Sequence, residues 1–129
     1  MDMGMKPIIE VPRGARVLLL EDSQARIKWF NERIPDIFIA NTVGEAITLL
    51  ASKQFDVFFL DHDLGLLDAD GKPGPEGNGA MFAKYLSETG YLGGDTVIHS
   101  WNPTGAANMA KSLPNATVIP FGKFEIERT

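Results

Sequence analysis

Short apolar runs, recurring between stretches of helical periodicity, constrain this chain more than any other feature. Val17-Leu18-Leu19-Leu20 and Val57-Phe58-Phe59-Leu60 are apolar at every position, Ile37-Phe38-Ile39-Ala40 likewise, and shorter runs follow at Val97-Ile98 and Thr117-Val118-Ile119. A strand that is apolar on both faces needs cover on both, which is the condition of a parallel sheet between helical layers. The intervening segments supply those helices. One passes through Ile27, Trp29 and Phe30 and is closed by Pro35, with Trp29 and Phe30 read as core. Thr42-Val43-Gly44-Glu45 has the spacing of a capping box and opens a second helix to about Ser52, with Ala46, Ile47, Leu49 and Leu50 on its buried side. A third starts near Asn78 and is expected to carry Met81, Phe82, Tyr85 and Leu86 inward. Asn102-Pro103 is a cap followed by a first-turn proline and opens a fourth, which runs to Leu113. The fold class predicted is α/β, a doubly wound sheet of five parallel strands.

In such sheets ligands bind at the carboxyl ends of the strands. The titratable residues gather there. Glu21 and Asp22 follow the first run, Asp61, His62 and Asp63 follow the third, and His99, Ser100 and Asn102 follow the fourth. Carboxylates and imidazoles placed side by side cost free energy unless solvent, a helix dipole, a metal ion or a substrate compensates them.

Composition narrows the partners. The chain has 129 residues, enough for one domain with a real core, and no cysteine, which excludes disulfides, thiolate zinc sites and thiol catalysis. The formal charge is −5 with basic residues scattered, which argues against binding duplex nucleic acid. A small phosphorylated ligand, a nucleotide or an RNA end held through a metal remains compatible. The first residues are too polar and proline-broken for a signal peptide, and no run approaches a membrane span; the expected location is the cytoplasm.

Asp22, Asp61 and Asp63 make an oxygen-rich set for Mg²⁺. Coordination by His62 or His99 would favour Mn²⁺, Zn²⁺ or Fe. A histidine not used as a ligand can act as general acid or base near neutral pH. Ser100 and the amides entering the Pro103 helix can hold phosphate oxygens. One assignment has Asp61 and Asp63 hold the ion, His99 move the proton and Ser100 bind the phosphate. Each group also has a plainer reading. Glu21-Asp22 can cap the first helix, Asp61 and Asp63 can be turn residues, His62 can face solvent, His99 can be a satisfied structural histidine, and Asn102 can be a cap alone. Residues 66–79, rich in Asp, Gly and Pro, read as loop, whether a lid or a disordered segment. Asp68-Ala69-Asp70-Gly71 within it is a polar turn rather than a calcium loop.

Residues 16–122 resemble the receiver domain of response regulators. Glu21-Asp22 stands where that family has metal ligands, Asp61 where it has the phosphoacceptor, and Ser100 where it has a phosphoryl-contacting Ser or Thr. The resemblance implies the flavodoxin-like strand order 2-1-3-4-5, with residues 1–15 as an extension and 123–129 as a tail. It also implies departures. The lysine of the last strand is displaced to Lys123, and the tail is too short for the final helix. The motifs LDHDLG (60–65) and HSWNPTGA (99–106) are more similar to the divergent cyclic-phosphate-processing receiver domains. That resemblance implies a metal-dependent phosphoesterase acting on a cyclic or terminal phosphate, with Glu21, Asp22, Asp61 and Asp63 as metal ligands. Beside it, the chemistry of the residues makes Asp61, His99 and His62 the catalytic candidates, and Ser100 and Asn102 the candidates at the phosphate. The alternatives are a signalling receiver phosphorylated on Asp61 and a non-enzymatic phospho-ligand or protein-binding module. Without a final helix one sheet face lies open. Residues 7–11 can fold over it, or a homodimer can cover it; the dimer is the expectation carried forward.

Overall fold

Strands β2 (Val17–Leu20) and β4 (Val57–Leu60) are buried at every residue because they lie side by side at the sheet centre. The structure is a computed structural model and describes residues 5–64, 78–91 and 93–129. Around the two central strands run β3 (Phe38–Ala40), β5 (Thr96–Ile98) and β6 (Thr117–Val118), all parallel, in the order β3-β2-β4-β5-β6. With β1 (Ile8–Val11) set aside, this is the 2-1-3-4-5 order expected. The loop expected at 66–79, with its turn at Asp68–Gly71, lies outside the described residues apart from Asn78 and Gly79.

The helices are α1 (Gln24–Arg33), α2 (Val43–Ser52), α3 (Gly79–Glu88) and α4 (Pro103–Ser112). Their starts follow from local chemistry. Ser23, Thr42, Asn78 and Asn102 each cap one, the side-chain oxygen accepting from a first-turn amide. The Glu45 carboxylate reaches back to the Asn41 amide, one residue beyond the cap, at 2.7 Å. On α3, Phe82 and Leu86 are buried, whereas Met81 and Tyr85 are exposed at 56% and 37%. The apolar stripe there is thus narrower than the sequence suggests, since α3 packs mainly on α4, with a smaller contact to α2.

Strand alternation divides the core into two layers. Leu18, Leu20, Phe58, Leu60 and Ile98 face α2, α3 and α4, meeting Ala46, Phe82, Leu86, Met109 and Leu113. Val17, Leu19, Val57, Phe59 and Val97 face the other way, onto Phe30 of α1 and Ile34 at its C-cap. That second face has one helix, as the missing final helix implies. The remaining cover is a strand pair. β7 (Glu125–Arg128) runs parallel to β1, with Ile8 beside Glu125 and Val11 beside Arg128. Val11, Phe124 and Ile126 enter this layer, and the Phe124 ring stacks on Phe59 at 6.2 Å between centroids. Arg33 of α1 pairs with Glu125 and lies over the Trp29 ring, tying the helix to the strand pair. The extension and tail thus pack against the face left by the missing helix. Among the described residues no helix is long and apolar enough to cross a membrane.

Candidate functional site

Leu20, Leu60 and Ile98 are in register across β2, β4 and β5. The ladder continues one residue further, with the Asp61 amide donating to the Leu20 carbonyl and the His99 amide to the Leu60 carbonyl, both at 3.0 Å. Glu21, Asp61 and His99 therefore stand side by side at the carboxyl end of the sheet. Side chains alternate along a strand, so all three point towards the α1 side, with Leu19, Phe59 and Val97 two residues before them. Their ligand-capable atoms lie within 4.8 Å of one another, and all three residues are buried. Among the described residues they are the group of three or more such side chains able to hold a metal ion.

His99 joins Glu21 directly, Nε2 to Oε1 at 2.9 Å. The second carboxylate oxygen of Glu21 accepts from the amides of Asp22 and Ser23, each at 3.1 Å. The His99 ring lies against Phe30 and Phe121, and its Nδ1 is buried with no hydrogen-bond partner among the described residues. Arg26, in the first turn of α1, brings its guanidinium to 3.7 Å from Glu21 Oε1 and 3.9 Å from Asp61 Oδ2.

Two carboxylates this close and this dry cannot both keep ordinary acidity. Burial, and then the charge of Glu21, push the Asp61 carboxyl up to about 6; His99, the His62 amide and Arg26 offset only part of that. Burial acts to raise Glu21 as well. There the hydrogen bond and charge of His99, with the Ser23 amide and Arg26, outweigh it and hold Glu21 below the usual carboxylate value. A cation beside Asp61 would relieve the same cost. The donor set of two carboxylates and an imidazole fits a divalent ion.

Above the cluster lies a cleft of about 260 Å³ lined by Glu21, Asp22, Ser23, Arg26, Asp61, Asp63 and Trp101. Glu21, Asp22, Asp61 and Asp63, the metal set read from the sequence, thus converge on one opening. Asp22 and Asp63 stand in its wall, outside the tight Glu21–Asp61–His99 group.

The other expected residues are placed differently. His62 is next to Asp61 in sequence, and alternation sends it to the opposite side. Its ring packs on α4, where a Cβ at Gly105 would meet it at 2.4 Å, and its Nδ1 lies 2.9 Å from Asp63 Oδ1. It is not among the cleft-lining residues. Ser100 is buried and its Oγ accepts from the Asn102 amide at 3.0 Å. Asn102 caps α4 through Oδ1 and donates from Nδ2 to Asp63 at 3.3 Å. Neither lines the cleft, because their polar atoms close the strand-to-helix turn. His99, 0% exposed, holds Glu21 rather than facing the cleft.

Two features escaped the sequence reading. Arg26 supplies the cation that Lys123 does not; an arginine in the first turn after an acidic pair was the available signal. Gly79 is the other. A Cβ there would lie 2.0 Å from the Asp61 carbonyl oxygen, so α3 can begin against the Asp61-His62 backbone only with glycine at that position.

Solved receivers share this architecture. The receiver domain of Francisella response regulator 1452 is similar at 17% identity and a TM-score of 0.57, over 88% of this chain and 84% of that one. A two-component response regulator from Clostridium difficile is similar at 15% and 0.61, over 88% and 83%. Response regulator Rcp1, solved in its Mn²⁺-bound form, is similar at 16% and 0.62, over 82% and 79%. At such identities the likeness is one of fold. No curated protein matches the chain. Residues 16–115, which carry the three strand ends that build the carboxylate cluster, match the model of the cyclic-phosphate processing receiver domain, and the chain belongs to that family.

Proposed function

We propose that this domain is a divalent-metal-dependent phosphoesterase acting on a cyclic or terminal phosphate of a nucleotide or RNA end. The observation that supports it most is the convergence of Glu21, Asp61 and His99 beneath a cleft that also presents Arg26. Glu21 and Asp61 would hold the ion, with Asp22 and Asp63 in the wall beside them. Their oxygens favour Mg²⁺, with Mn²⁺ next and Zn²⁺ if an imidazole nitrogen joins the set. When bound, the ion supplies charge neutralisation at a phosphoryl oxygen.

The chain's own residues do the rest. Arg26 already faces the carboxylates, and its planar fork of donors suits a phosphate oxygen pair. His99 keeps Glu21 oriented. Asp63, held at the cleft wall by His62 and Asn102, would move the proton, a role that buried His99 cannot reach. The same approach of Arg26 to Asp61 supports a second reading, transfer of a phosphoryl group to Asp61 itself.

The test is turnover of 2′,3′- and 3′,5′-cyclic nucleotides with Mg²⁺, Mn²⁺ or Zn²⁺, beside Asp61→Asn. Hydrolysis that falls about 100-fold or more in the variant is expected. No hydrolysis with any ion, together with a stable phosphoaspartate formed from a small phosphodonor, would replace this reading with the second.

A further inference from the structure

Trp101 stands at the lip of the cleft with 54% of its surface exposed. It follows directly on His99-Ser100, so the strand that builds the metal cluster also delivers the indole. Its Nε1–H donates to the Phe121 carbonyl at 2.9 Å, which fixes one edge of the ring. Lys123 places its ammonium 5.7 Å from the Trp101 ring centroid. Phe121, in turn, carries the Arg26 guanidinium 5.1 Å from its own centroid. Arg26, Phe121, Trp101 and Lys123 thus form a row in which two linked aromatic residues are flanked by a cation at each end. It begins at the Glu21 and Asp61 carboxylates and ends on the open surface. The Lys123 that is displaced from the last strand takes its place in this row.

An indole pinned by its N–H and left exposed beside a polar cleft is a preformed stacking surface, ordered before anything binds. Every nucleobase has a π-face to set on it, and the flanking cations suit the adjoining phosphate. The cleft, at about 260 Å³, is just under the usual range of small-molecule sites, which begins near 300 Å³. It has room for a phosphate and its sugar, with the base left at the rim where Trp101 is. The chain's net charge of −5 disfavours a long polyanion and leaves a single nucleotide unit as the fitting ligand.

We propose that Trp101 is the stacking platform for the nucleobase of the substrate, so that the site takes nucleoside phosphates rather than phosphates of sugars or small alcohols. This rests on the phosphate-processing reading of the cleft and names its substrate class.

The experiment is calorimetric titration of the Mg²⁺- or Mn²⁺-loaded protein with adenosine 2′,3′-cyclic phosphate and with ribose 5-phosphate, alongside Trp101→Ala and Trp101→Phe, with turnover measured on the same samples. Trp101→Ala should bind the cyclic nucleotide about 10-fold or more weakly. Trp101→Phe should keep most of the affinity, and ribose 5-phosphate should bind all three proteins alike. A short RNA ending in the same cyclic phosphate, titrated in parallel, distinguishes a free nucleotide from a chain end; loss on Trp101→Ala with either one supports the platform. Equal affinity of Trp101→Ala and the unaltered protein for both overturns the platform while persisting turnover leaves the phosphoesterase reading intact. Trp101-dependent binding without turnover keeps the platform and removes that reading. No nucleotide binding by the unaltered protein overturns both.

Discussion

Glu21 Oε1 and His99 Nε2 lie 2.9 Å apart across the end of β4, and neither side chain reaches solvent. The strand between them is followed by Asp61, so the pair brackets the carboxyl that is pushed up to about 6. Removing one member of a buried pair leaves the other uncompensated. His99→Ala should therefore destabilise the protein by about 3–5 kcal/mol, and Glu21→Gln in that background should recover part of the loss. Urea unfolding followed by circular dichroism measures both. A cost for His99→Ala well under 1 kcal/mol would show that the pair does not hold the strand ends together.

Asp61 gives a pH dependence of defined sign. Its folded value is raised from 3.8 to about 6. The folded state therefore binds this proton more tightly than the unfolded one. The contribution to stability is fully present below pH 3.8 and is lost as pH rises through about 6. A shift of this size corresponds to roughly 3 kcal/mol. In the presence of a chelator, Asp61→Asn should be more stable than the unaltered protein at pH 7 by up to that amount, with the gap closing near pH 4. Parallel denaturation curves at the two pH values decide it; a variant that is less stable at pH 7 would contradict the assignment.

The same carboxyl must lose its proton to ligate an ion. Metal affinity should therefore rise between pH 5 and 7 by about 10-fold or more. In Asp61→Asn the affinity should be low throughout and its slope with pH much shallower. Calorimetry with Mn²⁺ at several pH values gives the slope, and a flat profile in the unaltered protein would remove Asp61 from the ligand set.

Gly79 tests how α3 supports the site. Since a Cβ would fall 2.0 Å from a backbone oxygen of Asp61, Gly79→Ala must move either the helix start or the end of β4. Overpacking of this kind costs about 1–3 kcal/mol, and the displaced Asp61 should also weaken metal binding. Gly44→Ala is the control, because the space there is open save for the Thr42 hydroxyl at 3.9 Å. Equal stability of the two variants would show that the approach is softer than it looks.

Much of this architecture can be read from the chain. The all-apolar runs 17–20 and 57–60 mark the central strands, although the equally apolar run 37–40 gives the half-exposed edge strand β3, and Thr42, Asn78 and Asn102 announce the helices they cap, since these signals act over a few residues. Register and alternation decide the rest. Asp61 and His62 are neighbours in sequence and point to opposite sides of the sheet, which a reading by proximity does not separate. The union of Glu21 with His99 depends on strands that are not adjacent in the sheet. β7, Glu125-Ile126-Glu127-Arg128 with Ile126 as its one apolar residue, pairs with β1 and with no other strand among the described residues. Phe124, just ahead of it, is wholly buried; Phe124→Ala should cost about 3–5 kcal/mol, and a chemical-denaturation midpoint near that of the unaltered protein would argue against this role for the tail.

The β1–β7 ladder also sets how the molecule answers to force. The two strands are parallel and lie towards opposite ends of the sequence, Ile8 beside Glu125 and Val11 beside Arg128. Tension applied before β1 and after β7 pulls them past each other along their length. Every hydrogen bond of the ladder is then loaded together, in shear, instead of being peeled one at a time. Stretched from its termini in an optical trap, the domain should resist and then yield in a single rupture, with the carboxylate cluster shielded until that strand pair gives way; stepwise lengthening at low force would show that the ladder does not bear the load.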